Sequence, residues 1–144
     1  AKAFKFSVFI RICADRPFID PITNTKLIDI YKSKRLDLAT NALTRTFPTG
    51  TMAEVVRVSA LEKVLALTRD PVDLEHVTRY IYRNATNFCL ENLYSNDPTL
   101  KDVSLAIDTK EDLARTRWVF RRLADPAKAS LAEVIAYTRT WYHK

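Results

Sequence analysis

The sequence predicts an α/β fold with a mainly parallel sheet flanked by helices, in a single domain that spans residues 1–144. Short apolar runs of strand length alternate along the chain with segments in which apolar residues recur at helical spacing. Several of the helical segments also begin with a residue that can cap a helix, which separates them from the preceding strands. Alternation of this kind is typical of folds in which helices return the chain between the strands of one sheet.

Apolar runs predict the strands, which we place at 4–13, 36–43, 53–58, 87–94 and 103–107. Each run is short and ends in polar or turn-forming residues. The clearest loop lies at 44–52, because it contains Pro48 and the only glycine of the chain, Gly50. A second loop is expected at 96–102.

The predicted helix starts have identifiable chemistry. Pro21 suits the first position of a helix, because proline lacks the amide hydrogen that this position leaves unpaired. Ser59 and the glutamate three residues later have the spacing of a capping box, in which hydroxyl and carboxylate each accept from a free backbone amide. The same pattern recurs at Thr109 and Ser130, and Asp70 precedes a proline. These features predict helices from Pro21 onward and at 60–69, 71–83, 110–124 and 131–141.

The bulk composition limits the class of protein. With 144 residues, 47% of them hydrophobic and 28% charged, the chain is long enough to bury one core. No apolar run is long enough to cross a bilayer and no secretory signal opens the sequence, so we expect a cytoplasmic protein without membrane contact. Cys13 and Cys89 lie in apolar runs and are expected to be buried, reduced thiols. The net charge of +6 is compatible with nucleic acid or with a phosphate-bearing substrate.

Two aspartates follow apolar strands: Asp15 comes after the first strand and Asp108 ends the run at 103–107. Ligands of open α/β sheets bind beyond the carboxyl ends of the strands. If the two strands are neighbours, both carboxylates face one crevice, where they suit a Mg²⁺ ion that also binds substrate phosphates. The alternative is that Asp108 only favours the start of the next helix. No glycine-rich phosphate loop can be formed, since Gly50 is the sole glycine.

Segments of the chain resemble, in the same order, motifs of the cytidylyltransferases that make CMP-activated acidic sugars. The likeness is greatest to the branch that acts in spore-coat polysaccharide biosynthesis. The segments are VFIRICADRPFIDP at 8–21, TNALTRTFPTGTMAEVV at 40–56, DPVDLEHVTRYIYRNATNF at 70–88 and VSLAIDTKEDLARTRWVF at 103–120. Together they cover most of the chain.

The resemblance implies a partial nucleotide-diphospho-sugar transferase fold and a nucleotidyltransferase activity. The substrates of such an enzyme are CTP and a sugar acid, Mg²⁺ is the cofactor, and the products are the CMP-sugar and pyrophosphate. It also implies a homodimer, for which the loop at 44–52 and the strand after it are candidate contacts. The N-terminal phosphate loop of the family, which cradles CTP, has no counterpart among these residues. We therefore expect an incomplete enzyme that binds CTP poorly by itself.

The resemblance also implies roles for individual residues. It makes Asp15 and Asp108 the metal ligands, and together with Arg11 they form the predicted catalytic set. The predicted substrate-binding residues are Asn41, Glu54, Glu75 and His76.

Other interpretations of these residues stay open. His76 is also compatible with a hydrogen-bonded structural histidine. Glu54 follows a strand-like alternation and is also compatible with a side chain that faces water. Arg11 lies inside an apolar strand and needs a carboxylate partner, for which Asp15 and Asp20 are the candidates.

Two alternative functions are suggested by differences between this sequence and the family motifs and by a cluster of basic residues. Leu74 stands where the family has an arginine and Met52 where it has an acid, which makes a catalytically silent domain that dimerises or binds a sugar the second interpretation. A basic nucleic-acid-binding module is a third, based on Trp118 among four arginines of the segment 114–123. A solvated basic face with a packed tryptophan explains that segment better, so we expect no nucleic-acid partner.

Overall fold

The structure, a computed structural model, describes residues 1–143, except for the side chain of Lys2. The strands are β1 (Val8–Arg11), β2 (Leu38–Thr40), β3 (Glu54–Arg57) and β4 (Leu90–Asn92). The α-helices are α1 (Pro21–Ser33), α2 (Val58–Leu67), α3 (Pro71–Glu75), α4 (Arg79–Arg83), α5 (Lys110–Phe120) and α6 (Leu131–Tyr142). Short 3₁₀ turns lie at Lys2–Phe4, Ala85–Asn87 and Pro98–Asp102. No helix in this part of the chain is long and apolar enough to cross a membrane.

The strands form one mixed sheet in the order β1-β3-β2-β4. β3 is antiparallel to both β1 and β2, whereas β2 and β4 are parallel. The α/β fold is therefore confirmed, and β1, β2 and β4 run in the same direction, but the reversed β3 makes two of the three pairs antiparallel. The reversal has a topological reason. Parallel neighbours need a crossover connection, usually a helix, and the segment between β2 and β3 contains none.

Helices cover both faces of this sheet. Alternate residues of a strand point to opposite faces, so Leu38 and Val56 pack on one side while Ala39 and Val55 pack on the other. The first pair meets residues of α2 and α4, and the second pair meets Leu27 of α1. A separate apolar cluster lies beneath α5 and α6.

The predicted strand at 103–107 is wrong, because the segment is extended but forms no strand of the sheet. It makes one isolated parallel bridge, between Ser104 and Thr49 of the predicted loop. The amide of Leu105 donates to the Thr49 carbonyl at 2.7 Å, and the Thr49 amide donates to the Val103 carbonyl at 3.0 Å. The segment pairs with a loop and not with a strand, so the ladder does not extend.

Gly50 permits this close approach. Its φ of +92° is one that L side chains rarely adopt, and a Cβ at this position would lie 2.4 Å from the Ala106 amide nitrogen. Most of the loop is buried against the chain, with only Thr44 and Arg45 exposed, and β3 is hydrogen-bonded on both edges. Neither edge of β3 is therefore open to pairing with a second copy of the chain, while the homodimer and a contact through the loop stay predictions.

Several predicted helix starts are confirmed. Thr109 and Asp112 form a reciprocal capping box at the start of α5. At the start of α6, Ser130 Oγ accepts from the amide of the residue three positions later at 3.2 Å. Asp70 caps α3, and Pro21 is the first residue of α1. Local sequence is sufficient at these positions because the capping bonds connect neighbouring residues.

Helices form in two further predicted regions, but the start of one and the continuity of the other differ from the prediction. α2 begins at Val58, and its N-cap residue Arg57 makes no side-chain capping bond, so Ser59 does not start the helix. β3 leads directly into α2, and the amide of Val58 donates to the Ser7 carbonyl at 2.9 Å. The predicted helix at 71–83 is split into α3 and α4, because residues between them turn to contact the sheet.

Predictions about individual side chains also have mixed outcomes. Neither cysteine is buried as expected: both are free thiols, with Cys13 half-buried and Cys89 exposed. Cys89 directly precedes the edge strand β4, and its carbonyl accepts from the Asp37 amide at 2.8 Å. The packing role of Trp118 is confirmed, since its ring contacts those of Tyr137 and Trp141 at centroid distances of 6.5 and 5.7 Å.

Gly50→Ala should destabilise the fold. The substitution puts a methyl group against the Ala106 backbone and an L side chain at a positive φ, so we expect the free energy of unfolding to fall by about 2–4 kcal/mol. Urea denaturation followed by circular dichroism measures the change. Arg45→Ala is the control, because Arg45 is exposed in the same loop, and it should cost under about 0.5 kcal/mol. A loss at Gly50→Ala no larger than that of the control would contradict the prediction.

Candidate active site

The structure brings the two predicted metal ligands to adjacent stretches of backbone. The amide of Ile107, the residue before Asp108, donates to the carbonyl of Asp15 at 3.0 Å. Both aspartates are exposed, and neither carboxylate accepts a hydrogen bond from another residue in the described range 1–143. The proximity expected of neighbouring strands therefore exists, although only the Asp15 segment follows a strand of the sheet.

These two carboxylates suit a hard divalent cation. Mg²⁺ takes oxygen ligands, and in proteins it commonly binds one or two carboxylates together with waters and substrate phosphates. Within residues 1–143, no group of three or more His, Cys, Asp or Glu side chains is arranged to hold a metal ion. A cation at Asp15 and Asp108 would therefore take its remaining ligands from water or from a substrate.

A buried carboxylate, that of Glu54 in β3, organises the side chains beside this segment. Glu54 is only 4% exposed, so the interpretation that it faces water is wrong. Its Oε2 accepts from Arg11 Nη1 at 2.6 Å, and its Oε1 accepts from Thr78 Oγ1 at 2.8 Å and from the Tyr82 hydroxyl at 2.5 Å. These donors compensate for the loss of water around the carboxylate, which is otherwise costly.

The partner of Arg11 is Glu54, not Asp15 or Asp20 as expected. Arg11 lies directly opposite Glu54 in the antiparallel β1–β3 pair, which brings their side chains together. Burial by itself would lower the pKa of Arg11, but the hydrogen bond and the charge of Glu54 outweigh it and leave this pKa raised. Asp20 instead caps α1, where it accepts from two amides of the first turn.

Tyr82 belongs to the same network. Burial raises the pKa of its hydroxyl, and the adjacent Glu54 charge raises it further. The hydroxyl of Thr40 lies 3.1 Å from the Tyr82 hydroxyl and joins the network to β2. The sequence did not identify Thr78 or Tyr82 as site residues. Their i, i+4 spacing, typical of one side of a helix, is the feature that points to a shared partner.

The side chain of Asn41 is hydrogen-bonded to the backbone of the β2–β3 loop and leaves no polar group for a ligand. It is fully buried. Its amide nitrogen donates to the Thr51 carbonyl at 3.2 Å, and its side-chain oxygen accepts from the Ala53 amide at 2.9 Å. Both polar groups of the side chain therefore hold the end of the loop next to Glu54. This geometry does not support the predicted direct contact between Asn41 and a substrate.

A cleft of about 410 Å³ lies beside the Glu54 network. Cys13 and Arg16 line it, and Asp15 lies between them in the chain, so the cleft borders the segment of a predicted metal ligand. The predicted residues Glu54 and His76 also line it. The basic residues of its wall are Arg11, Arg16, Arg79 and Arg83.

The cleft arginines differ in how far other side chains neutralise them. The buried carboxylate of Asp73 accepts from Arg79 Nη1 at 2.5 Å and lies 3.6 Å from Arg83 Nη1. Arg16 Nη1 donates to the carbonyl of Met52 at 2.7 Å, which does not neutralise its charge. The Arg83 side chain is 57% exposed. Arg16 and Arg83 are therefore the cations most available to a ligand, and the sequence did not identify either of them.

His76 and Glu75 have different surroundings. His76 is the C-cap residue of α3, at the break before α4, and its carbonyl accepts from the Arg79 amide at 2.6 Å. Its exposed side chain makes no hydrogen bond within the described part of the chain, which disfavours the hydrogen-bonded structural interpretation. Glu75 is exposed and does not line the cleft. The structure therefore brings His76, but not Glu75, to the site.

The fold is that of a cytidylyltransferase. The structure matches one from Leptospira borgpetersenii serovar Hardjo-bovis (strain JB197) with a TM-score of 0.89 at 24% identity, over 99% of this chain and 60% of that one. In sequence, the chain is 28% identical over 139 residues to the spore coat polysaccharide biosynthesis protein SpsF of Bacillus subtilis (strain 168). This alignment covers 93% of the chain and 55% of SpsF, so the chain spans little more than half the length of these proteins. No family model matches the chain.

Both comparisons confirm the resemblance that the four sequence motifs indicated. The structural match confirms the fold implied by them. The similarity to SpsF confirms the relation to polysaccharide biosynthesis proteins.

Tyr82→Phe should reduce stability in a pH-dependent way. The loss of one donor to Glu54 should lower the free energy of unfolding at neutral pH by about 1–2 kcal/mol. Because the folded protein holds the Tyr82 pKa above its ordinary value of 10.0, the unfolded chain loses this proton first as the pH rises. The contribution of Tyr82 is therefore fully present below that value and is lost above it. Urea denaturation of both proteins over a pH series should show their difference shrinking at alkaline pH.

Tyr94→Phe provides the control for this pH series. Tyr94 is 56% exposed, so its hydroxyl is solvated in both the folded and the unfolded chain. Any change with pH in the difference between wild type and this variant should be smaller than the change for Tyr82→Phe, because Tyr94 lies outside the Glu54 network. If the difference between wild type and Tyr82→Phe changed with pH no more than the difference for Tyr94→Phe, Glu54 and burial would not raise the pKa of the Tyr82 hydroxyl.

Proposed function

We propose that this chain forms the sugar-binding and metal-binding side of a cytidylyltransferase, which transfers CMP from CTP to an acidic sugar in surface polysaccharide biosynthesis. The observation that carries the proposal is the arginine-lined cleft beside the segment of Asp15. The cytidylyltransferase fold and the similarity to a spore coat polysaccharide biosynthesis protein support the reaction class.

The charges of the cleft favour an anionic sugar. Guanidinium groups bind carboxylates through paired, charge-assisted hydrogen bonds. Arg11 and Arg79 make close pairs with buried carboxylates, at 2.6 and 2.5 Å. Arg83 lies farther from Asp73, at 3.6 Å, and is 57% exposed, and Arg16 donates only to a carbonyl, so these two arginines are more available to a ligand. The carboxylate of the sugar would therefore bind on the side of Arg16 and Arg83. His76, on the same wall, offers a hydrogen bond to a sugar hydroxyl.

The two exposed aspartates complete the proposed site. Asp15 and Asp108 would hold Mg²⁺, which neutralises charge on the phosphates of CTP when it is bound. In the transfer, a sugar hydroxyl gives its proton to water and its oxygen forms a bond to the α-phosphorus, while the bond to pyrophosphate breaks and pyrophosphate leaves. The cleft residues would orient the sugar, and the position of Asp15 between Cys13 and Arg16 favours reaction at that end of the cleft.

Our proposal does not assign the binding of the CTP phosphates to residues of this chain. The sequence contains one glycine, so it provides no glycine-rich loop for the CTP phosphates. The chain spans 55% of SpsF and 60% of the solved cytidylyltransferase, and the remaining parts of those proteins have no counterpart in it. The proposal therefore predicts weak CTP binding by this chain alone.

A second candidate function is a catalytically silent domain that binds an acidic sugar. It is favoured by the same departures from the family pattern that the sequence shows, Leu74 and Met52. Leu74 is 44% exposed on α3, and Met52 contributes its carbonyl, not a carboxylate, to Arg16. The two functions share the cleft and differ in whether the aspartates support turnover.

Binding of a sugar acid tests the cleft without CTP. Isothermal titration of the chain with a nonulosonic acid should give saturable binding, and the methyl ester of the same sugar should bind more weakly because it lacks the charge. Arg83→Ala should weaken binding of the acid by about tenfold, since it removes a charge-assisted hydrogen bond. Arg117→Ala is the matched control, because Arg117 is exposed on α5 and does not line the cleft. Equal affinity for acid and ester would refute an acidic-sugar site.

Pyrophosphate release tests turnover. The assay contains CTP, Mg²⁺ and the sugar acid, with the chain alone and with the part of the Leptospira cytidylyltransferase that this chain does not cover. We expect pyrophosphate release that Asp15→Asn and Asp108→Asn each abolish. Asp29→Asn, a variant of an exposed residue of α1, should not affect the release. Release that both aspartate variants leave unchanged would contradict the metal-binding roles assigned to Asp15 and Asp108.

A further inference from the structure

The main chain at Asp108 is held by a carboxylate four residues further on. Oδ2 of Asp112 accepts from the amide of Asp108 at 3.2 Å and from the amide of Thr109 at 2.9 Å. It also accepts from the Thr109 hydroxyl at 2.8 Å. This goes beyond an ordinary capping box, because the second captured amide belongs to the predicted metal ligand itself.

Asp112 is in turn held by a buried arginine, Arg115 of α5. Arg115 is 3% exposed. Its Nη1 donates to Asp112 Oδ1 at 2.6 Å and to the Tyr142 hydroxyl at 2.8 Å, and its Nη2 donates to the Ala106 carbonyl at 2.8 Å. A guanidinium is buried at a high cost unless it is paired and hydrogen-bonded, and all of these contacts help to offset that cost. The two Nη groups of the planar arginine fork reach the Asp112 carboxylate and the Ala106 carbonyl at once, which the single amine of a lysine cannot do.

The contacts of Arg115 converge on the residues that surround Asp108. Through its own bond and through Asp112, Arg115 restrains the carbonyl of Ala106 and the amides of Asp108 and Thr109. The intervening amide, that of Ile107, donates to the Asp15 carbonyl. Consecutive peptide groups on both sides of Asp108 are therefore fixed relative to each other and to the Asp15 segment.

We propose that Arg115 is a positioning residue, which sets the direction of the Asp108 carboxylate toward Asp15 by fixing the backbone on both sides of it. The inference rests on the proposed function, in which Asp108 binds the metal ion. A link between α5 and α6 alone would need only the bond to Tyr142. The bonds to Ala106 and Asp112 serve the segment that carries Asp108, and groups that orient a metal ligand in this way commonly control metal affinity.

The test uses Mn²⁺ as the probe, because its paramagnetism broadens nearby amide signals even when binding is weak. In ¹⁵N-labelled chain, Mn²⁺ should broaden the signals of residues 14–16 and 107–110, and Asp108→Asn should abolish this. Arg115→Lys, which keeps the charge but loses the fork, should raise the dissociation constant for Mn²⁺ by about tenfold or more. Val119→Ala is the control for general destabilisation of α5, since Val119 is fully buried and contacts none of residues 106–109 through a hydrogen bond. It should leave the constant within about twofold of wild type.

Amide hydrogen exchange gives a readout that needs no metal. Arg115→Lys should accelerate exchange at Asp108 and Thr109 more than Val119→Ala does, at matched global stability. An unchanged Mn²⁺ constant in Arg115→Lys, together with loss of binding in Asp108→Asn, overturns the positioning role and leaves the metal site intact. Equal effects of Arg115→Lys and Val119→Ala also overturn it. Broadening that persists in Asp108→Asn, or that never appears near Asp108, refutes the metal site of the proposed function instead.

Discussion

The buried carboxylate of Glu54 is the interaction on which the arrangement of the site depends. It joins β3 to β1 through Arg11, and to α4 through the N-cap residue Thr78 and through Tyr82. A buried charge without these partners would be strongly destabilising. This requirement accounts for the break between α3 and α4, because Thr78 must turn toward the sheet at that point. The same break leaves His76 exposed on the wall of the cleft.

The loop between β2 and β3 connects the cleft to the pair of aspartates. It passes over the end of the sheet because no crossover helix joins these strands, and Asn41 fixes its end through two backbone contacts. At Gly50 the loop comes so close to the segment 103–107 that no side chain fits. That segment then runs beside Asp15. The position of Asp108 is therefore a consequence of how the loop packs, and Arg115 holds the result from the other side.

Much of the local structure could be predicted from the sequence, whereas the contacts within the site could not. The caps at Asp70 and Thr109 are visible because their bonds span two or three residues. The α/β class follows from alternation, and the similarity to cytidylyltransferases follows from motifs that the comparisons support. By contrast, the partner of Arg11 lies 43 residues away, and only the register of two strands decides it. Without that register, a side chain that faces water stayed an open alternative for Glu54.

The sequence by itself determined the elements that local bonds decide: most helix starts, the apolar runs, and the two aspartates that follow such runs. Only the tertiary structure decided that β3 runs in reverse, that Asn41 is fully engaged, and that Arg16 and Arg83 share a cleft with His76. The physical reason is that burial and pairing depend on packing between segments far apart in the chain. A side chain loses water only when such segments meet, and no local pattern records which segments those are.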